Sequence, residues 1–221
     1  MSDKRTISVK GIGNATASPD YIVLSLSLRA ANKDYVKATV IGAQQLEMLQ
    51  ENVEEAGFSR DNLKTTNFTV EAKYETEERY ENNRTVYHKV FVEFECRHEL
   101  KLAFGMDQDK LRDVVEAIGR CLAQPQISIA FTVKDTAAMR DEVLKTAAED
   151  ARKKAQILCD ASGVKLGRLI NINYNWDEIH IDHYLETKMR CGEGMLEAPQ
   201  YNFTPDDIEA GDTVSFLWEI E

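Results

Sequence analysis

The stretch Tyr21-Ile22-Val23-Leu24-Ser25-Leu26-Ser27-Leu28-Arg29 decides the fold, because its apolar residues recur with a period of two. Ile22, Leu24, Leu26 and Leu28 fall on one side of an extended chain, with Ser25, Ser27 and Arg29 on the other, which makes a strand with one buried face. The period then changes. Asn32 is a candidate N-cap, and Val36, Ala43, Leu46, Leu49, Val53 and Ala56 make a stripe at helical spacing that closes at Gly57, where a left-handed residue is wanted. Two long alternating strands follow, one through Phe68, Val70, Ala72 and Tyr74, the other through Val90, Val92, Phe94, Cys96, Leu100 and Leu102. Between them the polar run from Glu75 to Arg84, with Asn82-Asn83 as turn candidate, predicts a long hairpin with a charged tip. Asp107 caps a second predicted helix, lined by Leu111, Val114, Val115, Ile118 and Leu122 and ended by Gln124-Pro125. A strand through Ile127, Ile129, Phe131 and Val133 completes the order β-α-β-β-α-β. That order is the ferredoxin-like split unit, here expected over residues 20–133, in which two helices cover one face of a four-stranded antiparallel sheet.

Outward from this unit, Ile7-Ser8-Val9 is a short strand expected to end at Gly11-Ile12-Gly13. On the other side a helix over 136–162 repeats Leu144, Ala148, Ala151, Ala155 and Leu158, an alanine-rich seam that permits close approach, and Gly163 closes it. Ile170, Ile172, Tyr174 and Trp176 mark one further strand, and Val214, Phe216, Trp218 and Ile220 another. Residues 1–19 and 134–221 are thus expected to form a second small α/β lobe from both chain ends, making the whole α+β. Asp177 to Asp206 has no clear period, which inside a compact protein means a functional loop, a partner-binding arm or disorder.

With 221 residues the chain is one large domain or two small lobes, taking roughly 150 residues per domain. Area scaling has roughly 70% of the unfolded chain's surface buried on folding, enough core without disulfides or metals. The net charge of −11 disfavours nucleic acid or an anionic membrane as principal partner, since both need basic neutralisation. No apolar run approaches the roughly 18 residues of a membrane span. The opening Met-Ser-Asp-Lys-Arg leads into a strand pattern without the apolar stretch of a signal peptide, so a cytoplasmic location is expected. A periplasmic or exported location is the alternative if a signal segment was trimmed before Met1. Cys96, Cys121, Cys159 and Cys191 have no paired spacing, and the first three lie on apolar faces, where a free thiol acts as a small hydrophobe. Cys191, beside Arg190, is the one expected to be exposed and activated.

The chemical candidates are few. Gly11-x-Gly13 lacks the third glycine of a dinucleotide fingerprint, position 16 being threonine, and a strand rather than a helix follows. A bend or bulge in a strand is the expectation there. His180, Asp182, His183 and Cys191 are the candidate metal ligands, with Asp177 and Glu178 nearby, although this spacing matches no recognised ligand pattern. His88 and His98 stand about 33 Å apart if their strand is straight, too far for one site, and are expected to be half-buried and satisfied. Glu71, Glu75, Glu77, Glu78 and Glu81 crowd the hairpin among Lys73, Arg79 and Arg84, as a solvated charged surface does. No catalytic set and no cofactor is assigned.

A set of spaced residues resembles the SIMPL domain family. It begins at Ile7-x-Val9-x-Gly11-x-Gly13 and Pro19-Asp20, and continues through the helix ending at Gly57 to Leu63-x-Thr65-x-Asn67-Phe68 and Tyr74. It resumes at Ala147…Ala151-x-x-Lys154-Ala155…Leu158, Gly163 and Leu166-Gly167, and closes with Ile208-x-x-Gly211-x-x-Val214-x-Phe216. The resemblance implies a protein like the bacterial members, mostly exported or periplasmic, linked to stress responses and in some cases assembled into large rings. It supplies no catalytic residues. The expectation is a non-enzymatic oligomerising or protein-interaction module, a homo-oligomer with a possible protein partner. The alternative is a metal- or small-ligand-binding protein, hydrolytic in one form, that uses the 177–206 loop.

Overall fold

In the computed structural model, which describes residues 5–81, 84–174, 180–181, 187–190 and 203–221, the alternating stretches become β1 (Thr6–Ala17) and β2 (Tyr21–Asn32). Then come α1 (Tyr35–Glu55), β3 (Lys64–Glu81), β4 (Arg84–Gly105), α2 (Gln108–Gly119) and β5 (Gln126–Thr132). The rest is α3 (Thr136–Ser162), β6 (Leu166–Asn173), two short strands β7 (His180–Ile181) and β8 (Thr187–Arg190), and β9 (Ile208–Ile220). The architecture is mixed α+β with two antiparallel sheets, ordered β3-β4-β2-β5-β8 and β1-β9-β6, with β7 also pairing β9. The chain divides into two compact units, one around each sheet.

In the first unit, α1 and α2 cover the inner face of the five-stranded sheet. Ile22, Leu24, Leu26 and Leu28 are at most 1% exposed and pack with Leu100, Leu102, Ile127 and Ile129 against Leu49, Val53, Leu111, Val114 and Ile118. Each such side chain contributes roughly 1.5–3 kcal/mol on leaving water, so this cluster dominates the unit's stability. The α1 cap is Asp34 rather than Asn32. Its carboxylate accepts from the Lys37 backbone N–H, while Asn32 accepts from the Asp34 N–H and orders the entry. Starting the helix there turns Val36 outward (65% exposed), and the buried line is Ala38, Gly42, Leu49 and Val53. At Gly42 an added Cβ would meet the Cys96 sulfur at 2.8 Å, so glycine sets how closely α1 lies on the sheet. Asp107 caps α2 as expected, through the N–H groups of Asp109 and Lys110. Because α2 ends at Gly119, Leu122 falls beyond it and is 87% exposed, and Ala117 and Cys121 are buried in its stead.

In the second unit, β1 pairs with β9 over its whole length, from Thr6↔Glu219 to Ala17↔Ile208, so it passes straight through Gly11 and Gly13 instead of ending there. The buried line of α3 is Met139, Val143, Ala147, Ala151, Ala155 and Cys159, every fourth residue. Leu158, expected in the seam, is 50% exposed. A ridge at four-residue spacing is inclined by about 26° to the helix axis, and this one carries α3 over β1 and β9. The two glycines are why it fits. A Cβ at Gly11 would stand 1.9 Å from the Ala147 carbonyl oxygen, and one at Gly13 would stand 1.9 Å from that of Val143. Gly163 closes α3 at φ 71° and Gly57 follows α1 at φ 85°, the left-handed conformation expected of both.

Candidate interaction surfaces

Three features stand out once the cores are set aside: a ribbon arm on the first unit, and the two unlike edges of the second unit's sheet.

The arm follows from unequal strand lengths. β2 pairs with β4 from Gly105 back to Phe94, opposite Asn32, and stops. β3 and β4 continue together from Tyr74↔Phe91 to Glu81↔Arg84, a two-stranded ribbon about 25 Å long at roughly 3.3 Å per residue. A register shift between Lys73 and Tyr74 changes which residues share a face. Beyond it, Tyr74, Thr76, Glu78 and Tyr80 share a face with Thr85, Tyr87, Lys89 and Phe91. The outcome is an aromatic row: Tyr35 on Phe94 at 5.5 Å between ring centres, Phe94 on Phe91 at 5.0 Å, and Phe91 on Tyr74 at 5.9 Å. Tyr87 and Tyr80 extend it outward, 64% and 73% exposed. The opposite face pairs Glu75, Glu77 and Arg79 with Val90, His88 and Val86. From sequence alone Tyr74 belongs to the apolar face of Phe68, Val70 and Ala72, and the run from Glu75 to Arg84 shows only its charge. Tyr87 and Phe91 join Tyr74 and Tyr80 on one face because the register shift switches the alternation of β4 just before them.

Where arm and sheet meet, Glu95 takes a hydrogen bond from Lys73 and another, at 3.0 Å, from Arg97. Lys73 chiefly, and then Arg97, hold its carboxyl below the usual range against the opposing effect of burial. Charge here is paired and structural. The expected charged surface is present, with Glu71, Glu75, Glu77 and Glu78 all exposed.

The two edges of the β1-β9-β6 sheet differ. Along β1, α3 reaches round to the strand's backbone. The Ile12 N–H donates to Asp150 at 2.8 Å, the Asn14 N–H donates to the Thr146 hydroxyl at 3.0 Å, and that hydroxyl lies 3.1 Å from the Asn14 carbonyl. The Ile12 N–H, followed by Lys154 at 2.6 Å, keeps the Asp150 carboxyl below its usual range. Along β6 register shifts occur between Leu166 and Leu169 and again between Leu169 and Asn171. They place Leu166, Leu169 and Ile172 opposite Ile220, Trp218 and Phe216, on the sheet face that packs on α3. Leu169, Ile170 and Ile172 are nevertheless 45%, 44% and 51% exposed.

Of the candidate metal ligands, Asp182, His183 and Cys191 lie outside the described residues, as do Asp177 and Glu178. His180 is in β7, its backbone opposite Gly211. Among the described residues no cluster of three or more His, Cys, Asp or Glu is placed to hold a metal ion. His98 is 8% exposed, its Nε2 2.8 Å from the Thr65 hydroxyl and its ring edge-on to Phe68. Burial pushes its pKa down. His88 is ten residues away along β4, opposite Glu77, so the two histidines form no common site. Cys96, Cys121 and Cys159 are buried free thiols, as their apolar positions predict. A crevice of about 500 Å³ between the ends of α1 and α2 is lined by Glu55, Asp113, Glu116 and Arg120, with Glu116 and Arg120 paired at 2.8 Å. Its charges face solvent, with no nucleophile or histidine among the lining residues. No helix among the described residues is long and apolar enough to cross a membrane.

The sequence profile of SIMPL, a family of proteins of unknown function (DUF541), matches residues 7–218, almost the full chain. The chain belongs to the SIMPL family. Comparison with curated proteins gives no match. Many of the residues that carry the SIMPL resemblance can now be given physical roles in packing. Ile7, Val9, Gly11 and Gly13 form the β1 face on which α3 lies, through Ala147, Ala151 and Ala155. Asp20 accepts from the Lys134 N–H at 2.7 Å, and its own N–H donates to the Thr132 carbonyl at 3.1 Å, which fixes the start of α3's approach. Leu63 is buried, while Thr65 and Phe68 hold His98. At Gly167 an added Cβ would lie 2.8 Å from the Glu219 carbonyl oxygen. Around Gly11, Gly13 and Gly167 the SIMPL pattern in this chain therefore specifies close backbone packing.

Proposed function

We propose that this SIMPL chain is a non-enzymatic module that self-associates, and that its ribbon arm is a contact between copies. The supporting observation is the aromatic row Tyr74, Tyr80, Tyr87 and Phe91 on a ribbon whose inner neighbour β2 has already ended. A two-stranded ribbon is marginally stable alone, and tyrosines on one face give large contact area at small entropic cost. Between Lys73 and Glu93 four cations face five carboxylates, so two arms approach with little repulsion although the chain as a whole carries −11. The order β3-β4-β2-β5 with two helices on one face supports a ferredoxin-like lobe over 20–133, with both chain ends contributing the second lobe. Such a scaffold presents the arm rigidly at its base, where the Lys73, Glu95 and Arg97 network sits.

Light scattering on chromatographed protein tests the reading. The native chain is expected above its monomer mass of 25.1 kDa at micromolar concentration. Tyr80→Lys with Tyr87→Lys, at exposed positions that leave the fold's circular dichroism unchanged, should lower that mass. A native monomer at all concentrations sinks the self-association, and an unchanged mass in the double variant sinks the arm's part in it.

A further inference from the structure

We propose that β6 is the edge through which two copies of this chain join their second-unit sheets, strand against antiparallel strand, about a two-fold axis perpendicular to the sheet. This rests on the self-association proposed above but concerns a different surface.

The first argument is the inequality of the edges. On β1, the N–H groups of Ile12 and Asn14 and the carbonyl of Asn14 are engaged by Asp150 and Thr146 of α3, which blocks an incoming strand. On the far side, β6 ends the sheet path and no described strand lies beyond it. One blocked edge, and one that no other strand covers among the described residues, permit pairing that closes at two copies instead of growing into a fibre.

The second argument is electrostatic and bears on who the partner is. Edge strands are ordinarily guarded by charge. Residues 169–174, Leu-Ile-Asn-Ile-Asn-Tyr, carry none, in a chain that is 29% charged and −11 overall. A second copy meets repulsion over most of this acidic surface and none here. A segment without charge is also complementary to itself, as a two-fold contact requires.

The third argument is the incomplete layer. α3 lies over β1 and β9, while Leu169 and Ile172, on the same sheet face, remain about half exposed. A two-fold perpendicular to the sheet keeps the two inner faces on one side. It sets the Leu169 and Ile172 of each copy beside those of the other, so that two half-covered rows become one apolar strip between two α3 helices. The flanking Arg168 is already paired with Glu219 at 2.8 Å and brings no bare charge to the joint.

Single cysteines test the geometry. Directly opposed residues of antiparallel strands have Cα atoms about 4.5–5.5 Å apart, within disulfide range. Ile170→Cys, Asn171→Cys, Ile172→Cys and Asn173→Cys, each with Cys191→Ser, would be mildly oxidised and run without reductant, with Ser8→Cys on β1 as control. The expected result is a covalent dimer that peaks at one β6 position, falls at least tenfold two residues away and is absent for Ser8→Cys. In parallel, Leu169→Lys with Ile172→Lys should lower the native assembly's mass. If the native chain associates but no β6 cysteine links above the control, or the lysine variant keeps its full mass, the β6 contact is overturned and self-association survives. If the native chain is monomeric, both fall together.

Discussion

Replacing Gly11 by alanine is the sharpest perturbation of the packing on which the second unit depends. The added Cβ would lie 1.9 Å from the Ala147 carbonyl oxygen and 2.7 Å from the Ala151 Cβ. The first of these is helix backbone and cannot rotate away, so α3 must retreat by about 1.5 Å to restore ordinary contact at 3.4 Å. A gap of even 0.5–1 Å forfeits roughly a quarter to a half of the dispersion energy along the interface, here the whole Val9, Ala147, Ala151, Ala155 and Phe216 cluster. Overpacking of this kind costs about 1–3 kcal/mol, and the lower unfolded-state entropy of alanine recovers only about 0.5–1 kcal/mol. A net loss of about 1 kcal/mol is expected for Gly11→Ala, read from urea unfolding followed by circular dichroism. Ile12→Ala, at a position 51% exposed, should change stability by less than about 0.5 kcal/mol. Ala151→Gly should not rescue Gly11→Ala, because it relieves only the lesser of the two clashes. Gly11→Ala at native stability, or its full rescue by Ala151→Gly, would refute the close-approach reasoning.

Three further outcomes follow from the same contacts. His98 is buried with its pKa lowered, so the unfolded chain takes the proton first; its contribution is full above the unfolded value of about 6.5 and is lost as pH falls below it. Unfolding free energy measured from about pH 7.5 to 5 should therefore decline in the native chain and flatten in His98→Gln; equal slopes would be contrary. The amides of Ile12 and Asn14, although on an edge strand, should be protected in hydrogen exchange, and Asp150→Ala should release Ile12 alone. Because Asp150's pKa is lowered, this contact is present above its unfolded value and disappears as pH drops through the folded one. Cys96 and Cys121, buried and with thiol pKa values raised by that burial, should resist a disulfide reagent until denaturant is added. Reaction at free-thiol rates in the native protein would contradict their placement.

Much of the architecture was legible from period and punctuation. The alternation at 22–28, the caps at Asp107 and Gly163 and the hairpin at 64–105 are local signals, and the structure carries them where the residues suggest. The errors come from long-range contacts. Gly11 and Gly13 look like a strand end because the helix residues that require them, Ala147 and Val143, are 136 and 130 positions away in sequence. Leu144 and Leu158 outrank Ala147 and Cys159 on hydropathy, yet it is Ala147 and Ala151 that lie against Gly11 of β1, where the approach is closest. The aromatic face of the arm was hidden by one bulge, and the apolar row of β6 by two, since each extra residue shifts the alternation that a sequence reading relies on. Of the candidate metal set, His180 alone lies among the described residues, so that reading rests on spacing alone.

Sedimentation velocity on the untagged chain, with and without EDTA, addresses the central claim most directly. A self-associating module gives a discrete species heavier than the 25.1 kDa monomer, with the same profile in chelator. A monomer at every concentration, or an assembly that EDTA dissolves, contradicts it and moves attention to the histidines at 180 and 183.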